Sequence, residues 1–207
     1  MGNFTVKLAG RALGMVRGPD SEEFLQNLLT CDLGGMAPGG ARYGALLSPQ
    51  GKILHDLILV RLEDGFLIDC AGLSREALLQ RLGFYRLRSK VEILPLEGGI
   101  SAGTGTPPPG AIADPRTPLL GWRQYGTGRD GDDESLYEAH RIGLGIADSA
   151  ADIGSDSLFP HEANLDQLNG VSFTKGCYVG QEVVARTEHR AMARCSCLLY
   201  TSDAADE

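Results

Sequence analysis

The chain has 207 residues, 43% of them hydrophobic and 22% charged, with a formal net charge of −8. That length allows one large or two small domains with a real core, and the acidic balance argues against a nucleic-acid or anionic-membrane surface. No apolar run is long enough to span a bilayer, and the N-terminus shows no basic region leading into an apolar core. Cys31, Cys70, Cys177, Cys195 and Cys197 are irregularly spaced, which does not read as a disulfide framework. The expectation is a cytoplasmic, monomeric protein with reduced thiols.

In chain order, residues 3–17 read as one or two short strands. Asp20 with Glu23 fits a capping box, so a helix should start there with Phe24, Leu25, Leu28 and Leu29 inward. Residues 41–48 read as a strand, Pro49-Gln50-Gly51 as a turn, and 52–62 as a longer strand. Glu63-Asp64-Gly65 turns into a strand over 66–70, and this pattern implies antiparallel hairpins. Ser74 is the expected N-cap of a helix to about Leu87, with Leu78, Leu82 and Tyr85 inward. Strands return over 91–96 and 99–102, and Asp132 or Asp133 should cap a helix through Ile142. The glycine- and proline-rich stretch 103–110 is a loop without the ending of a phosphate cradle. Phe159 to Gly170 is polar and irregular, and 181–189 reads as a helix with Val183, Val184 and Thr187 roughly on one face. The mixture predicts an α+β protein with antiparallel sheets.

Three stretches could carry chemistry. Gly176 and Gly180 flank Cys177 closely, which implies a tight loop approached by other backbone. The following helix N-terminus and Lys175 both favour the reactive form of a thiol, although such a cysteine reads equally well as a small packed side chain. On the strand 52–62, Asp56 shares its face with Leu54 and Ile58, opposite His55. A carboxylate on an apolar face must be paired, or else it serves to hold a proton. In the third stretch, 159–166, Glu162 and Asn164 supply polar groups that could meet a hydrogen-bonding ring or merely brace their own loop. Arg116 and Arg123 are further candidates for an anionic tail.

Lys175-Gly176-Cys177-Tyr178-Val179-Gly180-Gln181-Glu182, with Ala185-Arg186, resembles the signature of the YgfZ family, folate-binding relatives of the glycine-cleavage T-protein (aminomethyltransferase). Phe24-Leu25-Gln26, Leu29 to Asp32, and Gly51 to Asp56 are similar to the N-terminal pattern of that family. The resemblance implies an aminomethyltransferase-like folate-binding fold whose C-terminal β-barrel domain is missing here. It implies a first subdomain from 1–48 plus about 138–194 and a second, ferredoxin-like subdomain over about 49–137. Residues 195–207 read as a non-native tail. It further implies tetrahydrofolate as cofactor, held by Asp56, Glu162, Asn164, Arg141, Lys175 and Tyr178, with Cys177 and Asp56 as the reacting groups. The implied function is assistance to iron–sulfur cluster assembly or repair, with iron–sulfur proteins or their assembly machinery as partners. A tetrahydrofolate-dependent aminomethyltransferase or demethylase is the alternative. A non-catalytic interaction module is the second.

Overall fold

The structure is a computed structural model that describes residues 2–126, 128 and 131–190. The tail at 195–207 lies outside the described residues. Among the described residues, nine strands form two antiparallel sheets. The five-stranded sheet has the order β3-β4-β5-β2-β6, built from Ala41–Leu47, Ile53–Arg61, Gly65–Ala71, Arg11–Arg17 and Glu92–Leu96. The four-stranded sheet runs β1-β7-β9-β8, from Thr5–Lys7, Gly99–Gly103, Trp122–Gly126 and Ile112–Ala113. The helices are α1 (Ser21–Gln26), α2 (Arg75–Tyr85), α3 (Ser135–Gly143) and α4 (Gln181–Arg190).

The larger sheet is covered on both faces. Leu57 and Leu59 of β4, with Phe66 and Ile68 of β5, face Leu25, Leu28 and Leu29 around α1 and Leu78 and Leu82 of α2. The alternate residues face the other way. Val60 and Leu67 meet Val6, Ile100 and Ala102 of the smaller sheet, and Ile58 meets Ala163, Leu165 and Tyr178. Every residue of β5 is therefore buried, which explains why it is apolar apart from Asp69.

Several expectations are corrected. The helix at Ser21 forms, but Asp20 makes no side-chain cap. Its carboxylate accepts the Lys90 N–H at 2.6 Å, tying α1 to the entry of β6. Ser74 likewise turns its hydroxyl to the Ala71 carbonyl rather than capping α2. The helix over 135–143 does have its aspartate: Asp133 accepts the Ser135 N–H at 2.9 Å. The strands β3 and β4 form a hairpin across residue 48, and both sheets take strands from either side of it. Pro49-Gln50-Gly51 forms the turn expected of it, with the Gly51 N–H donating to the Ser48 carbonyl at 2.9 Å.

Between the sheets lies a buried network of opposite charges. Asp69 of β5 accepts from Arg11 Nε at 2.8 Å, Arg123 Nη1 at 2.7 Å and Tyr125 OH at 3.1 Å. Asp114, after β8, accepts from Arg116 Nη2 and Arg123 Nε, both at 2.8 Å. The Tyr137 oxygen of α3 accepts from Arg116 at 2.7 Å and Arg123 at 2.6 Å. Arg116 and Arg123 are thus structural, not receptors for an anionic tail. Burial opposes ionisation of Asp114, but Arg116 and Arg123 outweigh it and hold that carboxyl well below the usual carboxylate range.

A carboxyl depressed in the folded state stabilises fully above its unfolded value, about pH 4, and loses that contribution as the pH falls through the folded value. The urea midpoint should therefore drop as the pH falls below about 4. Asp114→Asn should lose about 3 kcal/mol at neutral pH, because it strands two buried guanidiniums, and should flatten the acid drop. An unchanged acid slope in the variant would remove Asp114 as its source.

Candidate functional site

The cysteine loop, 173–180, runs into α4 and is held on three sides. Lys175 Nζ donates to the carbonyls of Gln26, Leu29 and Cys31 at 2.6, 2.8 and 2.7 Å. All three of its N–H groups are thereby used, so the lysine expected to act on the thiol or a ligand serves instead as a buried peg. Burial lowers its pKa, against the pull of Cys31 and Asp32. Tyr178 is buried with Ile58, Leu165 and Val184, and its ring lies 5.2 Å from the Lys175 ammonium. Burial pushes its hydroxyl up to about 12.

The third hold is a glycine contact. Gly180, at φ 80°, sits so close to the β3–β4 turn that a Cβ would lie 2.7 Å from the Ser48 carbonyl oxygen. Gly51 in that turn, at φ 84°, would set a Cβ 2.9 Å from Val183. The close approach expected of this loop is therefore to the chain's own hairpin. Gly176 has open space around it. With Lys175 and Tyr178 both directed inward, Cys177 is left exposed.

Residues 171–174, just before the cysteine, form one wall of a groove of about 530 Å³. Arg42 and Tyr43 of β3, with Pro115 and Asn169, complete most of it. Tyr43 donates its hydroxyl to Asp56 Oδ2 at 3.1 Å, and Arg116 lies 5.8 Å from its ring. Burial first and Asp56 second push the Tyr43 hydroxyl well above its ordinary pKa, so it stays a donor. Asp56 is itself buried, behind this wall rather than on it. Phe173 is half exposed on the wall and packs against His161, whose Nε2 lies 3.2 Å from Glu188 of α4.

The remaining expected site residues are engaged locally. Glu162 accepts the Phe159 N–H at 2.8 Å, closing its own loop. Asn164 adopts φ 56° in that loop, between Ala163 and Leu165, which enter the core. Arg141 donates to Glu138, to Asp152 at 2.6 Å and to the Ile146 carbonyl at 3.0 Å, so it braces the end of α3. The structure thus joins Tyr43 to Asp56 and sets Lys175 and Tyr178 under Cys177, and it leaves Arg141 in a separate cluster. Tyr43 and Phe173 were missed as wall residues. An aromatic next to the signature and another on the strand opposite were the available signals.

Residues 11–97 match the family model described as the GCVT N-terminal domain. The chain is 37% identical to "Iron-sulfur cluster assembly factor IBA57, mitochondrial" of Homo sapiens, over 91% of this chain and 63% of that protein. The Mus musculus protein of the same name is 35% identical with the same coverage. Over residues 11–97 the chain is similar to the GCVT-domain proteins. A homologue from Pyricularia oryzae, also named as a mitochondrial iron–sulfur cluster assembly factor, is 32% identical over 97% of this chain and 58% of its own length. The chain therefore spans less than two thirds of these curated relatives. Among solved structures, the aminomethyltransferase T of the Bartonella henselae glycine cleavage system aligns with a TM-score of 0.46 and 27% identity, over 49% of this chain and 28% of that one. No helix among the described residues is long and apolar enough to cross a membrane.

Two outcomes test this geometry. In a chain with Cys195 and Cys197 replaced by serine, a thiol reagent should label Cys177 at once. Cys31 and Cys70 should stay protected until unfolding, since burial pushes both up to about 11. Prompt labelling of all three would refute the packing described. Lys175→Met should lower stability by about 2–4 kcal/mol, because three buried carbonyls lose a charged donor, and should open 172–180 to protease. A variant as stable and protease-resistant as the parent would show that the peg is dispensable.

Proposed function

We propose that this chain is a folate-binding accessory protein for iron–sulfur cluster assembly or repair, with Cys177 as its reactive group. The observation that carries the reading is the exposed thiol on a pegged loop, in a chain similar over nine-tenths of its length to proteins named as iron–sulfur cluster assembly factors. A loop fixed by Lys175 and Tyr178 presents its thiol to a partner without ordering the backbone at each encounter. Cluster-bearing proteins or their assembly machinery are the partners in this reading, met by a monomer. The relatives are named as mitochondrial; the proposal requires only a compartment, such as the cytoplasm, that keeps the thiol reduced.

The groove beside Tyr43 suits tetrahydrofolate in size and chemistry. Its volume lies in the range of small-molecule sites. Phe173 offers a ring face for stacking, and Arg42 a cation for a carboxylate tail. The Tyr43 proton is given to Asp56, which fixes the orientation of the phenol in the groove wall. Tetrahydrofolate bound there would supply a one-carbon carrier. In this reading Asp56 fixes the Tyr43 hydroxyl, while Glu162 and Asn164 shape the neighbouring loop.

Calorimetric titration with tetrahydrofolate tests the first half. Saturable binding should weaken about tenfold in Phe173→Ala, the loss of a stacking contact of about 1–2 kcal/mol, and survive Cys177→Ser. No saturable heat with the parent chain would dispose of the folate site. For the second half, Cys177→Ser should fail to restore iron–sulfur enzyme activity in cells lacking their own copy, where the parent chain succeeds. Full restoration would dispose of the thiol's role.

A further inference from the structure

The corner between α2 and β6 carries charge and apolar surface that the fold leaves unused. Residues 75–90 hold five basic side chains against one acid, in a chain of net charge −8. Arg75 pairs with Glu97. Arg81, Arg86, Arg88 and Lys90 are exposed, and their side chains make no ion pair or hydrogen bond among the described residues. Among them stand Phe84, 70% exposed, and Leu87, 88% exposed.

Leu87 has φ 38°, a left-handed backbone that a branched side chain rarely adopts. The corner is firmly built around it. Arg86 N–H donates to the Gly83 carbonyl, Ser89 N–H to the Arg86 carbonyl, and Lys90 N–H to the Asp20 carboxylate. The backbone therefore holds Leu87 outward. On one side lies a groove of about 700 Å³ between α1 and the corner, with Phe24, Asn27, Tyr85 and Arg88 in its walls beside Asp20 and Glu23. On the other lies an open groove of about 890 Å³, where Arg17 and Arg61 are paired with Glu92 and Glu22, and Arg86 and Lys90 are not paired.

We propose that this corner docks an acidic segment of a partner protein. Its apolar side chain packs on Phe84 and Leu87, and its carboxylates pair with Arg81, Arg86, Arg88 and Lys90. Charge complementarity selects the acid, and the two outward apolar side chains select a peptide over a bare polyanion. A nucleic acid or a bilayer would bring its charge against the remainder of the chain, which is more acidic than the whole. The inference stands apart from folate binding and from Cys177.

The test uses the full chain and a fluorescein-labelled peptide, Asp-Glu-Leu-Phe-Glu-Asp-Leu-Glu, with anisotropy read at low and physiological salt. Saturable binding should weaken about tenfold in Arg86→Glu/Arg88→Glu, with a flatter salt dependence. It should also weaken in Leu87→Gly. Glycine takes the positive φ without strain, so that variant should melt no lower than the parent, which separates docking from folding. The proposal is overturned if the parent does not bind the peptide saturably, or if either variant keeps the parent's affinity. Tighter binding of a single-stranded DNA 12-mer or of phosphatidylserine vesicles than of the peptide would also overturn it.

Discussion

Arg123 is the residue on which the two sheets turn. Its guanidinium is buried between them and reaches Asp69 on the larger sheet, Asp114 beside the smaller one, and Tyr137 on α3. A charge in such a place must be fully matched, because removing one partner leaves the other stranded in a medium that solvates it poorly. The match requires β5, β9, the turn after β8 and α3 to occupy one relative arrangement. Apolar packing alone tolerates sliding more readily than this does. The same network extends through Arg11 to Asp148 and brings Arg116 over the ring of Tyr43. The Tyr43–Asp56 pair therefore takes its position from the ionic junction as well as from the strands that carry it.

The cysteine loop is fixed by a different device. It contributes no strand to either sheet. One ammonium satisfies three carbonyls of the α1–β3 connection, one tyrosine fills a core site, and two glycines in left-handed conformations meet. Each hold lies within a few residues of Cys177, and none involves its side chain. A segment built this way can keep a thiol in the open while the residues on either side remain ordered. That arrangement suits a group that meets a large partner better than one that acts inside a closed cleft.

The α2–β6 corner shows the opposite economy. Phe84 and Leu87 contribute little to the core, Leu87 holds an unfavourable backbone angle, and four cations between residues 81 and 90 have no ion pair among the described residues. Each feature disfavours the isolated folded chain to some degree. Their coincidence in one rigid turn is the pattern expected where selection acts on binding and not on stability.

Much of the secondary structure was legible in the sequence, because its causes are local. Largely apolar runs bounded by turn residues marked β4 and β5, Pro49-Gln50-Gly51 and Glu63-Asp64-Gly65 marked the hairpins, and the glycines around Cys177 marked an exceptional loop. The eight-residue signature also pointed to relatives that the comparisons bear out. The destinations of the charged side chains were not legible. Arg123 and Asp69 are 54 residues apart, and Lys175 and the Cys31 carbonyl 144. Nothing near Lys175 in the chain announces that three carbonyls await it, and nothing near Arg141 separates a ligand contact from a helix brace. Turns and apolar runs depend on neighbours along the chain. The pairing of a buried charge depends on which distant groups the folded core leaves within reach, and the tertiary structure alone decides that.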